Sequence, residues 1–546
     1  MRPHVSESPE RPGVPPFTPH VRAYAENLVT QIQDIKSAHH AKSLEELLLK
    51  KDTLPSDVFT RIAKLVDELH AVMKHRELPQ EIRERMRKMF EAALETGSHI
   101  AIIATRIDVQ SDIELQATRI GVDLGARILS QEWNKAITQL HGDNLKEKGE
   151  GHLAIARAQI KREQDPKKSI VRAIKYKDAI ANSWDIFDMY IALAKVFFDC
   201  GDKPAAKENL TVAKDLFLET FAAILPSVRK AMFRSLIKAF GYLGMYDETV
   251  NILSTDTLTD EEKASLAMPD NRILDTLVNE ALERKNFADA RRIIDSIADM
   301  KQKGESLFYL GKAYLKEGNI DQAGKCSQEL RGDEYGPFFG FNEEDLEAMI
   351  ALEKIKRHMD ATQELRRAEK PLHMSLGKQD YLDKIRSLLG QCFAFQGSIP
   401  HANELIKDIS EPSERFLAQA KIIGIQARTD VDVSKGAESL IQNITKKVTY
   451  DYTIGEILAE IVHAGYGSLA IRSLKDEVSG MDQHNFESIL LDVIRAFGEL
   501  KDFQSANICL AMYSDGPSYS KDESYKVLAT YQARAAFDVL TQPSIS

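Results

Sequence analysis

Residues that could carry catalysis are few in this 546-residue chain, and they form no recognised catalytic constellation. The stretch 465–470 has the glycine spacing of a dinucleotide-binding turn, but residues 454–463 before it have the periodicity of a helix instead of a strand. The sequence contains no phosphate-binding lysine loop, no HExxH zinc motif and no G-x-S-x-G nucleophile motif. We therefore expect a non-catalytic protein that uses neither a cofactor nor a metal.

Composition narrows the class of protein further. The chain has 72 Lys and Arg against 83 Asp and Glu, a formal charge of −11, which argues against nucleic acid as the partner. Its four cysteines are far apart and in no CxxC pair, as is typical of a reducing compartment, so we predict a cytoplasmic protein. No run of about 18 apolar residues is present, and the sequence therefore predicts no membrane-spanning helix.

A basic stretch at 142–177 runs against the overall charge, with ten Lys or Arg and five acids. Such an excess could form an anion site for RNA or a membrane surface. Tyr176 is its only aromatic residue, which weakens the case for single-stranded RNA. We favour the alternative that the stretch presents a solvated helix face.

The strongest pattern in the chain is a repeat of helical segments. Leu310-Gly311 is followed by Tyr314, Gly318 and Ala323, and the same order of residue types recurs along the second half. We place turn positions at 201, 244, 285, 318, 357, 397, 432, 465 and 501, which are 33 to 43 residues apart. This period is typical of one helix–turn–helix unit per repeat.

The residue types of the repeat have physical reasons. A large apolar residue four before the turn fills the space between paired helices, and a small residue five after it lets the second helix approach the first. A glycine at the turn supplies the left-handed conformation that ends the first helix. The sequence therefore predicts an all-α protein whose main part is an α-solenoid of about nine units.

These residues resemble the tetratricopeptide repeat, in which Leu-Gly, an aromatic residue, Gly, a second aromatic residue and Ala follow one another. The resemblance covers residues 184–520 and is closest at 310–323, whereas the early Trp of the family is replaced, for example by Leu307. It implies a superhelix whose first helices line a concave groove, and that groove usually binds a peptide or a partner helix.

The resemblance also implies which side chains face the groove, because the residue six before each turn lies on that face. Basic residues occupy this position in four units, and two more lie one turn away on the same helices. We expect them to bind an acidic segment or a terminal carboxylate of a protein partner. The candidate residues are Lys195, Arg234, Lys238, Lys312, Lys316 and Arg495.

We divide the chain into a disordered Pro-rich tail at 1–20, an N-terminal helical bundle at 21–141, a basic helical linker at 142–183, the solenoid at 184–535 and a tail at 536–546. The favoured function is a scaffold that binds a protein partner. The alternatives are a bacterial regulator or secreted effector whose bundle is the active part, and an enzyme with an unrecognised site in that bundle. The sequence leaves the oligomeric state open.

Overall fold

The computed structural model describes residues 80–122, 124, 132–140, 144–162, 164–220, 226–245, 273–297, 300–331, 343–374, 379–429, 431–447, 453–478, 481–514 and 518–538, with scattered residues between 24 and 78. Every regular element in these ranges is a helix, which confirms the all-α class. The chain forms two compact units. The terminal unit comprises residues 1–178 and 497–546, and the central unit comprises residues 179–496.

The terminal unit contains the first helices along the described chain and the last two. They are α1 (Gln80–Ser98), α2 (Ile103–Arg119), α3 (Glu132–Gln139), α4 (Leu145–Lys161), α5 (Lys167–Lys177), α22 (Phe503–Leu510) and α23 (Tyr519–Asp538).

The central unit is a series of helical pairs. Its helices are α6 (Ser183–Asp199), α7 (Lys203–Thr220), α8 (Pro226–Tyr242), α9 (Ile273–Glu283), α10 (Phe287–Ser296), α11 (Met300–Lys316), α12 (Ile320–Leu330), α13 (Glu343–Lys356), α14 (Thr362–Met374), α15 (Gln379–Phe395), α16 (Ile399–Lys407), α17 (Pro412–Ala427), α18 (Ser434–Lys447), α19 (Thr453–His463), α20 (Gly467–Ser473) and α21 (Gln483–Glu499). A π-helical turn at Leu474–Val478 extends α20, and the last residues of α21 belong to the terminal unit.

Two kinds of packing hold the pairs together. Within a pair the two helices lie against each other, as α6 does with α7 and α11 with α12. In addition, each first helix packs on the first helix of the next pair, so that α6, α8, α9, α11, α13, α15, α17 and α19 form a continuous row, which we call the first-helix row. Stacked pairs of this kind make an α-solenoid, as the sequence predicts.

The turns inside the pairs share one geometry. Positive φ values occur at 201, 244, 285, 318, 397, 465 and 501, as predicted, and at His358 instead of the predicted 357. In each of these turns the next N–H donates to the carbonyl four residues before the turn residue, at 2.8 to 3.0 Å, which is the hydrogen bond of a Schellman motif. At the remaining predicted turn position, Asp432 accepts a hydrogen bond from Ser434 N (3.0 Å) just before α18.

Small residues allow the helices to approach closely. The predicted alanines five residues after the turns are fully buried at 206, 290, 323, 402, 470 and 506. Glycines do the same between first helices: a Cβ on Gly311 would lie 2.6 Å from Leu346 Cδ2 of α13, and one on Gly455 of α19 would lie 3.2 Å from Ile489 Cα of α21. A continuous apolar core connects α6 to α13 as a result.

The core of the terminal unit joins both ends of the chain. Met86, Phe90 and Ile113 are buried together with Ala529 and Ala533 of α23. A second cluster packs Trp133 and Ile137 of α3 against α2 and α4. The helix near the C-terminus therefore belongs to the same core as α1 and α2.

Helix α23 takes the place of a first helix in this unit. Asp522 Oδ1 and Oδ2 accept hydrogen bonds from Ala101 N (2.9 Å) and Ile102 N (3.2 Å) at the start of α2. In the central unit, Asp383 Oδ2 of α15 accepts equivalent bonds from Ser410 N (2.9 Å) and Glu411 N (3.2 Å) at the start of α17. Since α23 also packs on α1, these helices form a pair whose two members come from distant parts of the chain.

The basic stretch at 142–177 is not an exposed linker, and the expectation of a solvated face is wrong for α4. Leu153, Ala154 and Ala156 of this helix are fully buried. Its cations pair with acids of α2: Arg157 with Asp108 (2.7 Å), Lys161 with Asp112 (2.7 Å) and Arg162 with Glu114 (3.1 Å). Neutralisation within the fold explains why the basic excess of the sequence does not produce a basic surface along α4.

The compact units also depart from the predicted segments. Residues 142–178 lie in the terminal unit and 179–183 in the central unit, so the predicted linker is divided between them. Residues 497–535, expected at the end of the solenoid, belong to the terminal unit. The predicted tail at 1–20, most of residues 21–79 and residues 539–546 lie outside the described residues.

Candidate functional site

All six candidate cations lie on helices that precede a turn of the repeat. Lys195 is half-buried on α6, and the other five are exposed: Arg234 and Lys238 on α8, Lys312 and Lys316 on α11, and Arg495 on α21. The position six before the turn is exposed on α8, α11 and α21, half-buried on α6, and buried at Leu352 on α13. The cations are distributed over several helices, and the acids around them determine what each can do.

Lys195 and Lys238 both face Glu280 on α9, which the sequence analysis did not single out. Burial raises the pKa of Glu280, and attraction to Lys195, Lys238 and Arg284 opposes that effect. Lys195 on α6, Lys238 on α8 and Arg284 directly after α9 therefore share one carboxylate. Two of the predicted groove cations already have an electrostatic partner inside the repeat.

Aromatic contacts hold this first cluster in place. Lys195 Nζ lies 5.4 Å from the ring centroid of Tyr242, and the guanidinium of Arg284 lies 4.7 Å from the same ring. Tyr242 Oη donates a hydrogen bond to Asp199 Oδ1 (2.6 Å), and Phe198 contacts the ring edge-on. The end of α6 is tied to α8 and α9 by these contacts.

A second cluster surrounds Asp345 on α13. This side chain is only 4% exposed, and its Oδ1 accepts no hydrogen bond from the described residues. Burial raises the pKa of Asp345 to about 7, although the exposed Lys384 on α15 and Lys312 on α11 oppose the shift and Glu344 adds to it. Tyr381 Oη donates to Glu344 (2.9 Å), so the neighbouring acid is fixed in position.

Lys312 is further shielded by aromatic rings of its own helix. Its Nζ lies 5.6 Å from the Phe308 ring centroid and 5.9 Å from that of Tyr309, which is 37% exposed. An exposed aromatic ring beside an ammonium group can contact both an apolar and an acidic group of a partner. Tyr309 and Lys384 therefore join the predicted residues as candidate contacts.

The remaining cations differ in their surroundings. Arg495 Nη1 forms an ion pair with Asp492 Oδ1 (3.2 Å) on its own helix. Arg234 and Lys316 form no ion pair with any acid among the described residues and are not in contact with aromatic rings there. The sequence pattern located these cations on the helices that precede the turns, but it missed Glu280, Asp345 and Lys384, whose contacts depend on how the repeats stack.

The described residues define the surroundings of the potential metal ligands and nucleophiles. They contain no cluster of three or more His, Cys, Asp or Glu side chains suited to a metal ion. Burial raises the pKa of Cys326 to about 11 and that of Cys392 to about 12, which keeps both thiols protonated and inert. Gly465 lies in the turn between α19 and α20, with a φ of 90°, so the dinucleotide-like spacing belongs to a helix–helix turn.

No helix in the described part of the chain is long and apolar enough to cross a membrane. No family model matches the sequence, and no curated protein matches it significantly. Among solved structures, the chain is similar to a designed circular tandem repeat protein with a novel repeat topology and enhanced subunit contact surfaces. The identity is 12%, the match covers 94% of this chain and 98% of that one, and the TM-score is 0.14. A superposition this loose supports no argument, and the helical-repeat class rests on the helices and turns described above.

Proposed function

We propose that the central unit is a non-catalytic scaffold that binds an extended, acidic segment of a protein partner along the first-helix row, in the manner of tetratricopeptide-like proteins. The observation that supports this most is the row itself, in which the position six residues before the turn is exposed on α8, α9 and α11 and half-buried on α6. Repeat proteins commonly use such extended surfaces for binding, because each unit adds a similar patch.

The charge arrangement refines the proposal. Lys195, Lys238 and Lys312 face carboxylates of later repeats, so an acidic partner has to compete with Glu280 or Asp345 for them. Arg234 and Lys316 have no such competitor among the described residues. We therefore assign the strongest contacts with a partner carboxylate to Arg234 and Lys316, with Lys238 and Lys312 one turn away in supporting roles.

To test the proposal, the full chain is screened against an array of short peptides that differ in their number of acidic residues. The affinity of the best binder is then measured by fluorescence anisotropy. Charge reversal by Arg234→Glu together with Lys316→Glu should weaken binding at least tenfold, and the wild-type affinity should fall as salt increases. The matched control is Lys325→Glu, which reverses an exposed lysine on the second helix α12 of the same repeat as Lys316.

Two results would contradict the proposal. One is unchanged affinity in the Arg234→Glu/Lys316→Glu variant, and the other is an equal loss in the Lys325→Glu control. An equal loss would mean that net charge alone, and not the first-helix row, determines binding.

A further inference from the structure

The terminal unit contains a cavity of about 410 Å³ between α1, α22 and α23. Its polar lining includes Glu95 and Thr96 of α1, Asn507 of α22, and Gln532 of α23. His99 and Tyr525 stack on each other at 5.3 Å between ring centroids and form part of the wall. A cavity of this volume fits a small molecule or a long side chain.

Gln532 is the informative residue of this cavity. It is 6% exposed, and its Oε1 accepts no hydrogen bond from the described residues. The fully buried Ala529, Ala533 and Ala536 pack the same helix into the core, whereas Gln532 lines the cavity. An unpaired buried acceptor destabilises the fold, and a ligand with a hydrogen-bond donor would recover that loss.

The rest of the lining selects the charge of that donor. The lining contains the carboxylate of Glu95 and the hydroxyl of Thr96, but no lysine or arginine. Asp522 lies one turn before Tyr525 on α23, and its charge is balanced by attraction to Arg106. Acceptors, a carboxylate and an aromatic ring together favour a cationic group with several N–H donors.

We propose that this cavity binds a primary ammonium group carried on an alkyl chain. The ammonium donates to Gln532 Oε1 and to the Glu95 carboxylate, and the alkyl chain lies against Leu510 and the Tyr525 ring. The ammonium group can come from a free alkyl diamine or from a lysine side chain of another protein. This site is separate from the first-helix row and does not depend on the function proposed for it.

Isothermal titration calorimetry on the full chain tests the site with two amine probes. We expect saturable one-to-one binding of 1,5-diaminopentane, of Nα-acetyl-lysine methylamide, or of both, and none of pentanoate or 1-pentanol. Binding of the diamine alone identifies a free amine as the ligand, whereas binding of the lysine analogue alone identifies a side chain. Failure of both amines to bind would overturn the proposal.

Variants then connect binding to the named groups. Gln532→Met keeps the volume but removes the acceptor, and it should weaken binding at least tenfold while the thermal midpoint is maintained or raised. Glu95→Gln, at an exposed position, should weaken binding several-fold and flatten its salt dependence. The control Glu91→Gln changes an exposed acid one turn away that pairs with Arg87 and should bind like the wild type. Wild-type affinity in both Gln532→Met and Glu95→Gln would also overturn the proposal.

Discussion

Gly201 shows how a single backbone conformation defines the repeat. It has a φ of 82° in the turn between α6 and α7, and no atom lies within 4 Å of the position that a Cβ would occupy. A side chain there meets no steric obstacle, so the only penalty for Gly201→Ala is the left-handed conformation. We expect this substitution to lower the free energy of unfolding by about 1–2 kcal/mol.

Gly324→Ala is the matched control, because Gly324 lies inside α12 and also has open space around its Cβ position. This substitution should stabilise the protein by up to about 1 kcal/mol, since alanine is the better helix former. Chemical denaturation of the full chain measures both changes. Changes of the same sign in the two variants would show that the turn conformation is not the cause.

Asp345 makes the stability of the central unit depend on pH. Burial raises its pKa to about 7 from an ordinary value of 3.8, so the folded chain binds a proton between these values that the unfolded chain does not. The contribution of this group to stability therefore falls as pH rises from about 4 to about 7. We expect Asp345→Asn to stabilise the protein at pH 8 by roughly 1–4 kcal/mol and to have little effect near pH 4.

Thermal denaturation of the wild type and the variant between pH 4 and 8 checks this expectation. Glu344, Lys312 and Lys384 face Asp345 and are present in both proteins, so the difference between the two curves isolates the Asp345 carboxyl. Asp380→Asn, at an exposed position of α15, is the matched control that removes a carboxyl from another helix of the first-helix row. A difference for Asp345→Asn that does not change between pH 4 and 8 would contradict the assigned burial effect.

At the scale of elements, the helix boundaries follow from the sequence because the signals that end a helix are local. The Schellman turn needs only a residue that tolerates positive φ, and the next helix needs a cap directly after it. Asn319 meets the second need by accepting a hydrogen bond from Gln322 N (3.3 Å). Lys285 and Lys501 also adopt a positive φ, although lysine tolerates this conformation less well than glycine. The repeat spacing predicted these two turns, whereas the residue type alone would not have done so.

Packing between elements could not be predicted in the same way. Helix α4 has a basic sequence, yet it is buried because Asp108, Asp112 and Glu114 on α2 are placed opposite its cations. Glu280 and Asp345 likewise come next to predicted groove cations only when consecutive repeats stack. Contacts of this kind depend on the rotation of one helix against another, which periodicity does not specify.

At the scale of the molecule, residues more than 400 positions apart contribute to one core. Asp522 of α23 accepts hydrogen bonds from Ala101 and Ile102, and Ala529 and Ala533 pack among residues of α1 and α2. Helix α23 thus provides the terminal unit with a packing face and with a cap for α2. The N-terminal helices of this unit depend on the C-terminal segment for part of their core.

Deleting residues 515–546 should therefore destabilise the terminal unit selectively. The loss of the buried Leu528 and four buried alanines, together with the Asp522 cap, should cost at least about 4 kcal/mol. Differential scanning calorimetry should show that the transition of the terminal unit moves to lower temperature or disappears while that of the central unit persists. A synthetic peptide of residues 515–538, added in trans, should restore the transition, because the deleted helix makes non-covalent contacts with α1 and α2.

A deletion of residues 539–546 alone keeps α23 and should leave both transitions in place. An unchanged terminal transition after the longer deletion would mean that α1 and α2 retain their core without α23. Adding the peptide distinguishes two possible causes of a lost terminal transition. Restoration by the peptide would show that the terminal unit lacks the contacts of α23. No restoration, together with loss of both transitions, would show that the deletion disturbs the whole chain.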